Sequence, residues 1–193
     1  PDSGDAVLSG SSVVTQPEEV RRKIGFLTSE LKLEDFFTPD YLYDFFSELY
    51  GIPTDRRDAR KRMLFARFGI QEFAQVRVRD LSTGMKQKVS LVISLVQDPE
   101  IIIFDEPTNG LDILTAKVVT DFLLDLKEQG KTIIISTHIF SLVEKICDRV
   151  GIIINGRMAA CEDLWTLCGD KSLEDRFFEI YEAVNGEDEN HDK

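Results

Sequence analysis

Ile101-Ile102-Ile103-Phe104-Asp105-Glu106-Pro107 is the stretch on which the fold turns. Four consecutive apolar residues read as a strand buried on both faces, and two adjacent carboxylates follow where it ends. Such a strand delivers its acids to the C-terminal edge of a parallel sheet, where α/β proteins bind ligands. Asp105 is placed to hold Mg²⁺ through water, since that ion keeps most of its shell and takes one or two carboxylates. Glu106 can orient and deprotonate a water attacking a phosphate, assistance typically worth ~10²–10⁴-fold. Taken alone, the stretch equally fits two solvated acids in a strand-ending turn.

Outward from this strand the chain alternates. Downstream, Ile113 to Gln129 reads as a helix closed by Gly130, Thr132 to Ser136 as a strand, and Ile139 to Ile146 as a helix. Val150 to Ile154 is a strand that turns at Asn155-Gly156 into Arg157 to Ala160. Upstream, Ser82 caps a helix whose Met85, Val89, Val92, Ile93 and Val96 share one face, and Asp98-Pro99 ends it. Ile24 to Leu27 is another short strand. Alternation of this kind predicts a mainly parallel sheet with helices on its faces. Residues 36–80 break the pattern. Thr38 and Pro39 open one helix that Gly51 stops, and a second runs from about Asp55 to Phe68, ending at Gly69. The opening residues read as turn, short strand and turn, and the polar, acidic tail from Gly186 to Lys193 reads as disordered.

The formal net charge of −12 argues against a nucleic-acid partner, whose phosphates call for a basic face. The cluster Arg56, Arg57, Arg60, Lys61, Arg62 reads most simply as a solvated helix face. No apolar run approaches the ~20 residues of a membrane span, so a membrane connection would go through a partner. No basic-then-apolar leader opens the chain, which predicts no secretory signal. Cys147, Cys161 and Cys168 lack metal-ligand spacing and read as idle thiols.

Two further segments carry chemistry. Leu81-Ser82-Thr83-Gly84-Met85 opens a helix with a serine cap and a glycine, presenting free N–H groups and the positive dipole end to an anion; by itself it is an ordinary cap. Ser136-Thr137-His138 follows a buried strand, which puts His138 at the same expected edge as Asp105 and Glu106.

Together these residues resemble the ABC ATPase family over essentially the whole chain. Leu81 to Met85 with Lys86-Gln87-Lys88 is similar to the signature motif, and Ile101 to Pro107 to the Walker B strand with its catalytic glutamate. Asn109-Gly110-Leu111-Asp112 resembles the D-loop, Ser136-Thr137-His138 the switch histidine, and Cys147 to Arg157 the segment that follows in transporter members. The resemblance implies a P-loop NTPase-like α/β fold: a mainly parallel sheet flanked by helices, with an inserted helical subdomain. Residues 1–35 and 81–170 would form a partial ATPase core, 36–80 the helical subdomain, and 171–193 a C-terminal helix and acidic tail.

The activity so implied is ATP hydrolysis powering transport through a membrane permease, with ATP and Mg²⁺ bound. Two domains would dimerise head to tail on the cytoplasmic side of the membrane. Glu106 and His138 would be catalytic, Asp105 would serve the metal, and Ser82, Thr83, Gly84, Ser29 and Asp112 would contact nucleotide. Ser29 and Glu30 stand where the family usually places its Q-loop glutamine, and Thr83 and Met85 replace the usual glycine and glutamine; both variants resemble exporter-like members. The phosphate loop G-x-x-x-x-G-K-[ST] does not occur. Gly130-Lys131-Thr132 imitates its end, but Asp125 holds the first glycine's place and the helix-to-strand context is reversed. The expectation is therefore a fragment lacking its N-terminal part, and so inactive by itself. A repair or translation ATPase would show long coiled coils or tandem domains with basic linkers, and a module without turnover would not need Asp105, Glu106 and His138 together.

Overall fold

The computed structural model describes residues 3–28 and 33–191, with side chains described through Gly186. They form two compact units, divided after Ser136. In the first, a small hairpin pairs β1 (Val7–Leu8) with β2 (Ser11–Ser12). Helix α1 (Pro17–Lys23) follows, opening on a proline with Glu18 and Glu19 in its first turn and closing on Arg21, Arg22 and Lys23. That charge order complements the helix dipole. Strand β3 (Ile24–Leu27) leads to α2 (Pro39–Leu49), where the Thr38 side chain accepts from the Tyr41 N–H. Helix α3 (Thr54–Phe68) ends on left-handed Gly69. Residues 36–80 are thus helical, completed by two short 3-10 turns at Ile70–Phe73 and Val78–Asp80.

Helix α4 (Thr83–Ser94) stops before the expected Asp98-Pro99. Leu95 and Val96 are fully buried beyond its end, and Asp98 turns the chain with φ +57°. Strand β4 (Ile101–Asp105), helix α5 (Ile113–Glu128) and strand β5 (Thr132–Ser136) complete the unit. The three strands pair in parallel in the order β3-β4-β5. On one face Leu27, Ile102 and Phe104 are buried along with Val89 and Val92 of α4 and Val119 and Leu123 of α5. Gly25 is the point of closest approach. A Cβ there would lie 2.5 Å from the Ser94 carbonyl oxygen, so a side chain would push α4 off the sheet at a cost of typically ~1–3 kcal/mol.

One face of the sheet is partly open among the described residues. Phe26, Ile103 and Ile134 share one cross-strand row on the opposite face, and Phe26 and Ile134 remain 56% and 53% exposed. Ile101, at the start of that face, is buried, so the strands read as doubly buried come out open only toward Phe26 and Ile134.

The second unit begins with α6 (Phe140–Ile146) and the antiparallel pair β6 (Arg149–Ile154) and β7 (Arg157–Asp163). Asn155 and Gly156 both have positive φ, as the tight hairpin turn requires. Short α7 (Leu164–Cys168) and long α8 (Leu173–His191) follow. Ile152, Ile154, Leu167 and Leu173 form the core here, with Phe140, Phe177, Ile180 and Val184 packed on it. Helix α8 corrects the expected disordered tail as far as His191: once its apolar turns are anchored, each added residue needs only one more hydrogen bond.

Candidate functional site

Asp105 ends β4 directly opposite Ser136, the last residue of β5. The Ser136 hydroxyl donates to Asp105 Oδ1. Glu106 then leaves the strand in the left-handed region with φ +48°, its N–H donating to the Ser136 carbonyl at 2.9 Å. A glutamate has no local reason to adopt that conformation, unlike glycine or asparagine. The strain costs about 1–3 kcal/mol and is characteristic of residues aimed for function. The Glu106 carbonyl accepts from the Asn109 N–H at 3.1 Å and the Thr108 carbonyl from the Leu111 N–H at 3.3 Å, closing the turn that Gly110 completes at φ +70°. Both carboxylates sit half-buried at one strand end.

Ser82 caps α4 as read from the sequence, its Oγ accepting from the Met85 N–H at 3.3 Å. The stretch 82–84 lies beside 109–111. A Cβ on Gly84 would be 3.8 Å from the Leu111 side chain, and one on Gly110 would be 3.9 Å from the Thr83 methyl. Two segments singled out separately in the sequence are therefore neighbours. Asp112 is a cap as well: one oxygen accepts from the Thr115 N–H at 3.0 Å and the other from the Thr115 hydroxyl at 2.7 Å. Those bonds hold its carboxyl below the usual range, the hydroxyl contributing most. His138 is exposed, two residues beyond the end of β5, at the start of the second unit. Ser29 and Glu30 lie outside the described residues.

The residues present suit a single hydrated Mg²⁺. Asp105 offers one carboxylate already oriented by a hydroxyl, and no cluster of three or more metal-ligating side chains exists among the described residues. Mg²⁺ is held in that way by one or two carboxylates, its remaining positions filled by water and phosphate oxygens, and not by a protein cage.

Sequence reasoning missed the Ser136 hydroxyl, because its partner is set by strand register. It also missed Thr115, although Asp112-x-x-Thr115 has capping spacing. The basic cluster on α3 is not simply solvated. Arg57 pairs with Asp44 at 3.3 Å and Asp58 at 2.8 Å, Arg60 with Asp98 at 3.1 Å, and Lys61 with Asp40 and Asp44. Burial raises Asp98, but Lys131 and Arg60 more than offset it, leaving its carboxyl below the usual range.

Aromatic residues on and beside α2 turn outward. Of the eight aromatic residues from Phe36 to Phe65, Tyr43 and Phe65 are buried, Phe46 is half-buried, and Phe36, Phe37, Tyr41, Phe45 and Tyr50 are exposed. Phe37 stacks on Tyr41 at 4.5 Å, and Tyr41 on Phe45 at 6.3 Å. They line an open groove of about 730 Å³ whose other walls include Phe26, Leu27 and Ile93.

The sequence model of the ABC transporter family matches residues 1–109. The ABC transporter ATP-binding protein NatA of Bacillus subtilis (strain 168) is 39% identical over 82% of this chain, and the linearmycin resistance ATP-binding protein LnrL of the same strain is 30% identical over 86%. The chain spans 65% of the length of the first and 54% of the second. A solved structure described as the ATP-binding subunit of an ABC transporter superposes with a TM-score of 0.87 at 27% identity, covering 93% of this chain and 77% of that one.

Proposed function

The chain belongs to the ABC transporter family, and on that premise we propose that it carries the catalytic acids of an ATPase that drives a membrane permease. The observation that bears most weight is the pair Asp105–Glu106, one acid ending a strand and the next forced into a left-handed turn beside it. Mg²⁺, held through water at Asp105, would neutralise phosphate charge. Glu106 orients the attacking water and accepts its proton. His138 contacts the γ-phosphate. The amino end of α4, with Ser82, Thr83 and Gly84, faces the nucleotide of a second, head-to-tail copy, where free N–H groups and the helix dipole favour negative charge. Asp112 and Ser29 join the nucleotide's surroundings.

In this reading residues 1–35 and 81–170 are core, 36–80 a helical lobe, and 171–193 a C-terminal extension. No helix among the described residues is long and apolar enough to cross a membrane. We assign the membrane contact to the aromatic groove, at the cytoplasmic face, because exposed rings favour interfaces. Nucleic acid is not a partner on this account.

Phosphate release from Mg-ATP by the protein that carries this chain tests the assignment. Asp105→Asn is expected to abolish most Mg²⁺-dependent turnover, by ~10²-fold or more, as loss of a charge-positioning group in the site would. Unchanged turnover would remove Asp105 from its role. Coupling is tested separately by Phe45→Asp. Loss of an aromatic anchor is expected to lower transport about tenfold while basal hydrolysis stays within about twofold. Parallel loss of both activities would mean that Phe45 supports the ATPase fold and not the permease contact.

A further inference from the structure

Ser136 touches both acids of the site in different ways, and nothing in the motif reading gave it a task. It is the register partner of Asp105 across the β4–β5 pair, and its hydroxyl donates to Asp105 Oδ1. Its backbone carbonyl accepts the Glu106 N–H at 2.9 Å, one step past the end of β4. The side-chain contact fixes which way the Asp105 carboxylate faces. The backbone contact extends the ladder just far enough to hold Glu106 in its left-handed turn. The geometry points to Ser136 as a positioning residue for the divalent cation, acting through Asp105; this rests on the assignment of Asp105 to the metal.

The two roles separate by chemistry. Any residue at 136 keeps a carbonyl, so side-chain replacement leaves the Glu106 tether in place. Only a hydroxyl can orient Asp105 in this way. Ser136→Thr retains it, and threonine suits a strand. Ser136→Val has nearly the same shape without it, so this pair isolates the O–H group from any effect on folding. Partners one shell out from a metal typically tune affinity by ~10–100-fold.

Titration of Mn²⁺ into the protein that carries this chain, with ADP present and free Mn²⁺ followed by its electron paramagnetic resonance signal, reads this directly. Ser136→Val is expected to raise the half-saturating Mn²⁺ concentration about 10-fold or more. Ser136→Thr is expected to match the unaltered protein. Asp105→Asn serves as the reference and is expected to raise it at least as far as Ser136→Val. Turnover of Ser136→Val should recover as metal is raised, whereas a Glu106 variant should not be rescued. If Asp105→Asn weakens Mn²⁺ but Ser136→Val does not, or if threonine fails as badly as valine, the role of Ser136 is overturned and that of Asp105 stands. If Asp105→Asn leaves Mn²⁺ binding unchanged, the metal assignment itself falls, and with it this inference.

Discussion

Glu106→Gln is expected to keep ATP binding while lowering turnover at least ~10²-fold, the contribution of a general base. The substitution is a clean one here. Glutamine has the same length as glutamate, and its backbone can keep the N–H bond to the Ser136 carbonyl and the carbonyl bond to the Asn109 N–H. It inherits the same left-handed strain at φ +48°, so folded stability should change little. What it loses is the ability to take a proton from water. A fall in turnover with unchanged ATP affinity would therefore read as lost chemistry and not lost structure. Hydrolysis at the unaltered rate would show that the proton goes elsewhere, and Glu106 would leave the mechanism despite its unusual backbone.

His138→Ala is the second large effect, an expected loss of ~10²–10³-fold in turnover, the range for removing one preorganised donor from a developing charge. His138 is exposed and follows β5 by two residues, so its removal empties no core position. The distinction from Glu106 lies in rescue. Ser136 and Thr137 remain, and His138→Gln can still donate a hydrogen bond, so it should retain part of the rate that alanine loses. Steady-state kinetics on both variants checks this. Equal inactivity of glutamine and alanine would point to proton transfer at His138 in place of hydrogen-bond donation.

Much of this architecture could be read before any coordinates. Thr38, Ser82 and the turn at Asn155-Gly156 act through local chemistry, and each sits in the structure where its side chain or φ demands. Strands β3, β4 and β5 follow from runs of apolar residues too short for helices. The misreadings concern properties that belong to neighbours. Whether Phe26 and Ile134 are buried depends on a covering layer, which no strand sequence records. Helix α1 has only seven residues, too few for a periodic signal. The extent of α8 depends on anchorage by Phe177, Ile180 and Val184. At the site, residue types were legible but partners were not. The Ser136–Asp105 bond exists because two strands separated in sequence by an entire helix end in the same register. The closeness of Thr83 and Gly84 to Gly110 and Leu111 is likewise a tertiary fact. The outward turn of Phe37, Tyr41 and Phe45 is a tertiary fact too, since helical spacing does not say which face a lobe keeps for itself.

In the proposed function Asp105 and Glu106 work in an ATP site shared between two copies, completed by Ser82 and Gly84 of the partner. Sedimentation velocity on the Glu106→Gln form of the protein that carries this chain addresses that claim most directly. With Mg-ATP, which this variant is expected to bind without consuming, a stable dimer should form and revert to monomer when ATP is replaced by ADP. A species that stays monomeric in saturating Mg-ATP, or a dimer indifferent to nucleotide, would contradict it.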